Sequence, residues 1–86
     1  MANYKIEWKR SALRELEKLP IQAVSRIVSA VAKLSNDPYP RGVKKLVGSD
    51  QNFRIRVGEY RVIYEVLNDI LKVLIIRVRH RKDVYR

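Results

Sequence analysis

Three alternating runs divided by two short turns occupy the chain from Asn52 to Arg79, and they limit the fold more than any other feature. The first run, residues 52–57, places Phe53, Ile55 and Val57 on one parity and Arg54 and Arg56 on the other. Gly58-Glu59 turns the chain. The second run, residues 60–67, sets Tyr60, Val62, Tyr64 and Val66 against Arg61, Ile63 and Glu65. Asn68-Asp69 turns the chain again, into a third run from Leu71 to Arg79. Successive side chains of a strand point to opposite faces, so this spacing predicts a three-stranded antiparallel meander with one apolar face. The third run is apolar on both parities, as an interior strand is. Leu74, Ile76 and Val78 are assigned to the apolar face, and Val73, Ile75, Arg77 and Arg79 to the other.

The first half of the chain changes period. Tyr4, Ile6 and Trp8 alternate with Lys5 and Glu7, which predicts a short strand over residues 3–8, lying outside the meander. Leu13, Leu16 and Leu19 then recur every third residue, with Ala12 beside them, so residues 9–18 read as an amphipathic helix. Pro20 ends that helix and suits the start of the next. Ile21, Val24, Ile27, Val28, Val31 and Leu34 hold helical spacing over residues 21–34. This second helix is rich in β-branched residues, so burial rather than propensity must hold it. Residues 36–42, NDPYPRG, make a loop, and residues 43–51 read as irregular. The expected architecture is a single α+β domain over residues 1–86. An N-terminal strand and a helical hairpin precede the meander, and the helices cover one face of a mostly antiparallel sheet.

Composition narrows the partners. Nineteen Lys and Arg against nine acids give 86 residues a net charge of +10, which favours a polyanion. There is no Cys and a single His, which excludes disulfides and the usual structural zinc sites. No metal and no cofactor are expected. The first ten residues have no apolar core of a signal peptide, and the apolar stretch near Val73 to Ile76 is too short to span a bilayer. The expectation is a cytoplasmic protein with no membrane partner.

Arg54, Arg56, Arg61, Arg77 and, where strand geometry continues, Arg81 fall on one inferred face. Such clustering costs mutual repulsion, which a phosphate relieves. In RNA backbone cleavage the ribose 2′-hydroxyl attacks the adjacent phosphorus, and charge grows on the non-bridging oxygens. Guanidinium groups suit that charge, because they offer forked donors and stay protonated. They suit proton transfer poorly for the same reason. The acid and base are therefore sought in Tyr85, His80, or a nearby Lys or Glu. Glu65 shares the arginine face as a pairing partner, Glu59 reads as a solvated turn residue, and Trp8 as packing.

The order of elements resembles a known family when taken with four segments: Lys45-Leu46-Val47-Gly48, Phe53-Arg54-Ile55-Arg56-Val57, Tyr60-Arg61-Val62-Ile63-Tyr64 and His80-Arg81-Lys82-Asp83-Val84-Tyr85. That family is the RelE/ParE superfamily of toxins from type II toxin–antitoxin modules, and the RelE branch is the more similar. The resemblance implies a ribosome-dependent endoribonuclease that cuts mRNA in the A site by metal-free 2′-hydroxyl attack. It implies contact with 16S rRNA. It also implies inhibition by a cognate RelB-like antitoxin, acidic where it binds, in a toxin–antitoxin hetero-oligomer. By position, Arg61 matches the arginine at the reacting phosphate, Arg81 the one near the leaving group, and Tyr85 the tyrosine that orients or stacks on the nucleotide. His80 becomes the substitute base, because Arg54 and Arg56 stand where the family often carries lysines. Arg54, Arg56, Arg77, Arg79, Lys44 and Lys45 form the expected RNA-binding set. Arg79 also stands where a Gly is common. The alternative reading is a ParE-like toxin that inhibits DNA gyrase by binding, without nuclease activity.

Overall fold

The computed structural model of the chain describes residues 3–82. Its elements run β1 (Lys5–Trp8), α1 (Arg10–Glu17), α2 (Ile21–Lys33), β2 (Lys44–Lys45), β3 (Asn52–Val57), β4 (Tyr60–Leu67) and β5 (Lys72–His80). The strands form one sheet in the order β1-β5-β4-β3-β2. β2 to β5 pair antiparallel in succession, and β1 joins the outside of β5 in parallel, from Lys5 opposite Lys72 to Trp8 opposite Ile75. A parallel pair needs a long crossover, and the helical hairpin supplies part of it. The expected α+β class and the outer N-terminal strand are both present. Among the described residues no helix is long and apolar enough to cross a membrane.

Both helices start without a side-chain cap, at Lys9 and Pro20. Burial holds them instead. Ala12 and Leu16 of α1 join Ile27 and Val31 of α2, with Leu34 just beyond, against Ile55, Val62, Tyr64, Val66, Val73, Ile75 and Val78 of the sheet. The helical stripe is narrower than the spacing predicts. Leu13, Ile21 and Val28 are exposed, because each helix lays only a single seam on the sheet.

Two strand assignments need correction. Residues 44–45 are not irregular but form β2, with Lys44 opposite Arg54 and Lys45 opposite Phe53. Two residues are too few to show an alternation. In β5, Val73 and Ile75 are buried, whereas Leu74 and Ile76 are only partly so. A bulge explains the exchange. Tyr64 pairs with Ile75 and Ile63 with Arg77, so Ile76 is an extra residue and the parity of β5 inverts there. Val78 thereby returns to the core while Arg77 and Arg79 stay on the opposite face.

The loop between α2 and β2 is pinned from beneath. The buried Tyr64 hydroxyl donates to the Pro38 carbonyl at 2.7 Å, and Phe53 meets Tyr39 edge to face at 5.1 Å and stacks with Tyr64 at 6.1 Å. Burial, with smaller contributions from Asp37 and Tyr39, pushes the Tyr64 phenol well above its ordinary value. The neutral phenol is therefore the native form, and its stabilisation is lost as pH rises above about 10, where the unfolded chain ionises. Tyr64→Phe leaves the Pro38 carbonyl without its donor and is expected to cost about 1–3 kcal/mol, read by urea unfolding.

Candidate nucleic-acid interface

The sheet face turned away from the helices carries a row of cations. Arg56 lies directly opposite Arg61, and Arg61 opposite Arg79, so three arginines follow one another across β3, β4 and β5. A second row runs through Lys44, Arg54, Ile63 and Arg77. Like charges facing each other across strands are destabilising, so this pattern is maintained against its own repulsion. A shallow concavity of about 170 Å³ lies among Gly42, Lys44, Arg54, Ile55, Arg56 and Arg61. Gly42 turns the rim of this concavity at φ +87°, a conformation suited to glycine.

The two ends of the basic face are held by acids. Glu15 of α1 reaches the edge of β5 that β1 leaves open after Trp8. Its carboxylate accepts the Val78 backbone N–H at 2.9 Å and lies 3.4 Å from Arg79 Nε and 3.9 Å from Arg77 Nη1. At the other end, Arg56 Nε donates to the Gly58 carbonyl at 3.2 Å. The Arg81 backbone N–H donates to the Glu59 carbonyl at 2.7 Å, and its guanidinium lies 3.6 Å from the Glu59 carboxylate. Glu59 is the exposed turn residue expected, and it also partners Arg81. Neither acid announces itself in the sequence, since each meets its arginines only through the fold.

The expected site residues therefore separate into groups. Lys44, Arg54, Arg56 and Arg61 meet at the concavity. Arg77 and Arg79 share the face but are drawn to the β5 edge by Glu15, and Arg81 stands at the β3–β4 turn. Lys45 is on the opposite parity of β2 and pairs with Asp50 at 3.5 Å. His80 lies across the sheet from Arg61. It pairs with Tyr60, the two rings meet edge to face at 5.3 Å, and its Nδ1 accepts the Lys82 backbone N–H at 3.2 Å. That placement separates the imidazole from the concavity it was expected to serve. Tyr85 lies outside the described residues.

Comparison with known proteins follows the same lines. The profile of a family described as the ParE toxin of the type II toxin–antitoxin system parDE matches residues 6–85. Toxin RelG of Mycobacterium tuberculosis is 34% identical over 87 residues, covering 96% of this chain and 97% of that one. A chain of the archaeal RelE–RelB complex from Pyrococcus horikoshii OT3 superposes with a TM-score of 0.83 at 28% identity, covering 92% of this chain and 96% of that one. A chain of the toxin–antitoxin complex RelBE2 from Mycobacterium tuberculosis superposes at 0.79 with 32% identity, covering 93% and 100%. A family match along nearly the whole chain, joined to RelE-type relatives of the same length and fold, makes this protein a RelE-like toxin of the RelE/ParE superfamily of type II toxin–antitoxin systems.

Proposed function

We propose that the chain is a ribosome-dependent endoribonuclease that cleaves mRNA in the A site. The observation that carries this reading is the meeting of Lys44, Arg54, Arg56 and Arg61 around one concavity on the open sheet face. The 2′-oxygen attacks phosphorus and the bond to the 5′-oxygen breaks, leaving a 2′,3′-cyclic phosphate. Arg61, central in the cation row, takes the charge that grows on the non-bridging oxygens. Arg81 serves the leaving 5′-oxygen, and Tyr85 orients the nucleotide. Arg54 and Arg56 hold the flanking backbone, with Arg77 and Arg79 extending the track. No metal is required by these steps.

The 2′ proton needs an acceptor, and guanidinium groups do not release theirs. Among the residues lining the concavity, Lys44 is the side chain that does, so we assign it the 2′ proton. The departing 5′-oxygen is protonated from water. Lys44→Arg is then expected to keep RNA affinity while lowering cleavage by about 10²-fold, the scale of lost general base catalysis. The two proteins are expected to differ in their pH–rate profiles. Equal pH–rate profiles for the two proteins would assign the proton elsewhere, and His80→Gln in the same series tests the imidazole.

Relatives of this fold occur in RelE–RelB complexes, and a surface of net charge +10 suits an acidic segment that folds on binding. The proposed partner is a RelB-like antitoxin in a hetero-oligomer. The place of action is the cytoplasm, on mRNA beside 16S rRNA. The matching family profile bears the ParE description, which favours a second reading, gyrase inhibition by binding. One experiment separates the two. The purified chain is added to translating ribosomes and message 5′ ends are mapped, while gyrase-dependent DNA breakage is followed in parallel. New 5′ ends within A-site codons support the nuclease; DNA breakage with intact message supports the gyrase reading.

A further inference from the structure

The Gly58-Glu59 turn is restrained from three sides. Gly58 adopts φ +60°, and a Cβ placed there meets Arg26 of α2 at 3.4 Å from Nη1 and 3.5 Å from both Cζ and Nη2. The Arg26 guanidinium therefore faces the turn from the helix side. From the open face, Arg56 Nε bonds the Gly58 carbonyl at 3.2 Å. From the end of β5, the Arg81 backbone N–H bonds the Glu59 carbonyl at 2.7 Å. The backbone of Glu59 is thus fixed, and its carboxylate oxygen stands 3.6 Å from Arg81 Nη1.

This ion pair contributes little to folding. Its side chains are 50% and 60% exposed, and such pairs are worth almost nothing in stability. Its consequence is placement. Arg81 is the first residue past β5, so strand pairing fixes its backbone but not its long side chain. We infer that Glu59 is a positioning residue for Arg81. Its carboxylate keeps the guanidinium at the end of the sheet where Arg56 and Arg61 pair, so that the donor is ordered before RNA arrives. This inference rests on the nuclease reading.

The test is single-turnover cleavage of message on programmed ribosomes. Glu59→Gln is expected to lower kcat about tenfold with KM nearly unchanged, and Glu59→Asp to recover part of the loss. The Glu59→Gln change is expected to add nothing in an Arg81→Ala background, because it acts only through that side chain. A purely structural role predicts instead that both changes add. An added loss in the Arg81→Ala background overturns the inference, as does a Glu59→Gln kcat equal to or above wild type; a higher rate would mean that Glu59 holds Arg81 back. Wild-type protein that leaves message intact removes the nuclease reading itself. Wild-type cleavage with an unaltered Glu59→Gln variant removes the positioning role alone.

Discussion

Arg61→Ala is expected to slow message cleavage by about 10²–10³-fold, the scale of losing one preorganised donor to a developing anion. Arg61 is the middle member of the row Arg56–Arg61–Arg79, opposite a cation on each neighbouring strand. The loss should appear in kcat more than in KM, since the extra charge exists only in the transition state. Arg81→Ala is expected to fall in the same range, by its proposed role at the leaving oxygen. Lysine at either position recovers part of the rate, because the charge stays while the fork is lost. An Arg61→Ala enzyme within threefold of wild type, about 0.7 kcal/mol on the barrier, would exclude the residue from the chemistry.

The fourfold change of Arg54, Arg56, Arg61 and Arg81 to Ala is expected to abolish cleavage on the ribosome and to relieve growth arrest on expression. The four side chains lie outside the buried core, so the variant should remain folded by circular dichroism. Binding to single-stranded RNA should weaken, and its salt dependence should flatten by roughly 0.7 log units per log unit of salt for each phosphate that is no longer neutralised. Arg77 and Arg79 remain on the face, held by Glu15, and preserve some non-specific affinity. Cleavage by this variant would refute the arginine-face mechanism outright, whereas a growth arrest that persisted with intact message would direct attention to the gyrase reading.

Much of the fold is legible in the sequence because it depends on periodicity. Phe53, Ile55 and Val57, with Tyr60, Val62, Tyr64 and Val66, mark a strand face without knowledge of its neighbours. The same parity collects Arg54, Arg56 and Arg61 on the other side, and the structure pairs Arg56 with Arg61. The strand β2 escapes such reading, since Lys44-Lys45 is defined only by Arg54 and Phe53 opposite it. With it escapes the place of Lys44 in the concavity. The exposure of Leu13, Ile21 and Val28 also follows from how the helices lie on the sheet and not from their own spacing.

The amino-acid order by itself determined the two helices and the strands β1, β3, β4 and β5, with the helix-covered face of β3 and β4 and the sign of their other face, because each is a local repeat acting through burial or charge. Tertiary structure alone decided which charges meet. The bulge at Ile76 inverts the parity of β5 and so keeps Val78 in the core and Arg77 and Arg79 outside it. The departure of β1 at Trp8 leaves an edge for Glu15 to fill, 63 residues from the Val78 amide that it accepts. The turn at Gly58-Glu59 brings a carboxylate to Arg81, and the pairing of His80 with Tyr60 takes the imidazole to the other side of the sheet. Interactions of this kind span strands that are distant in sequence, and no local pattern encodes them.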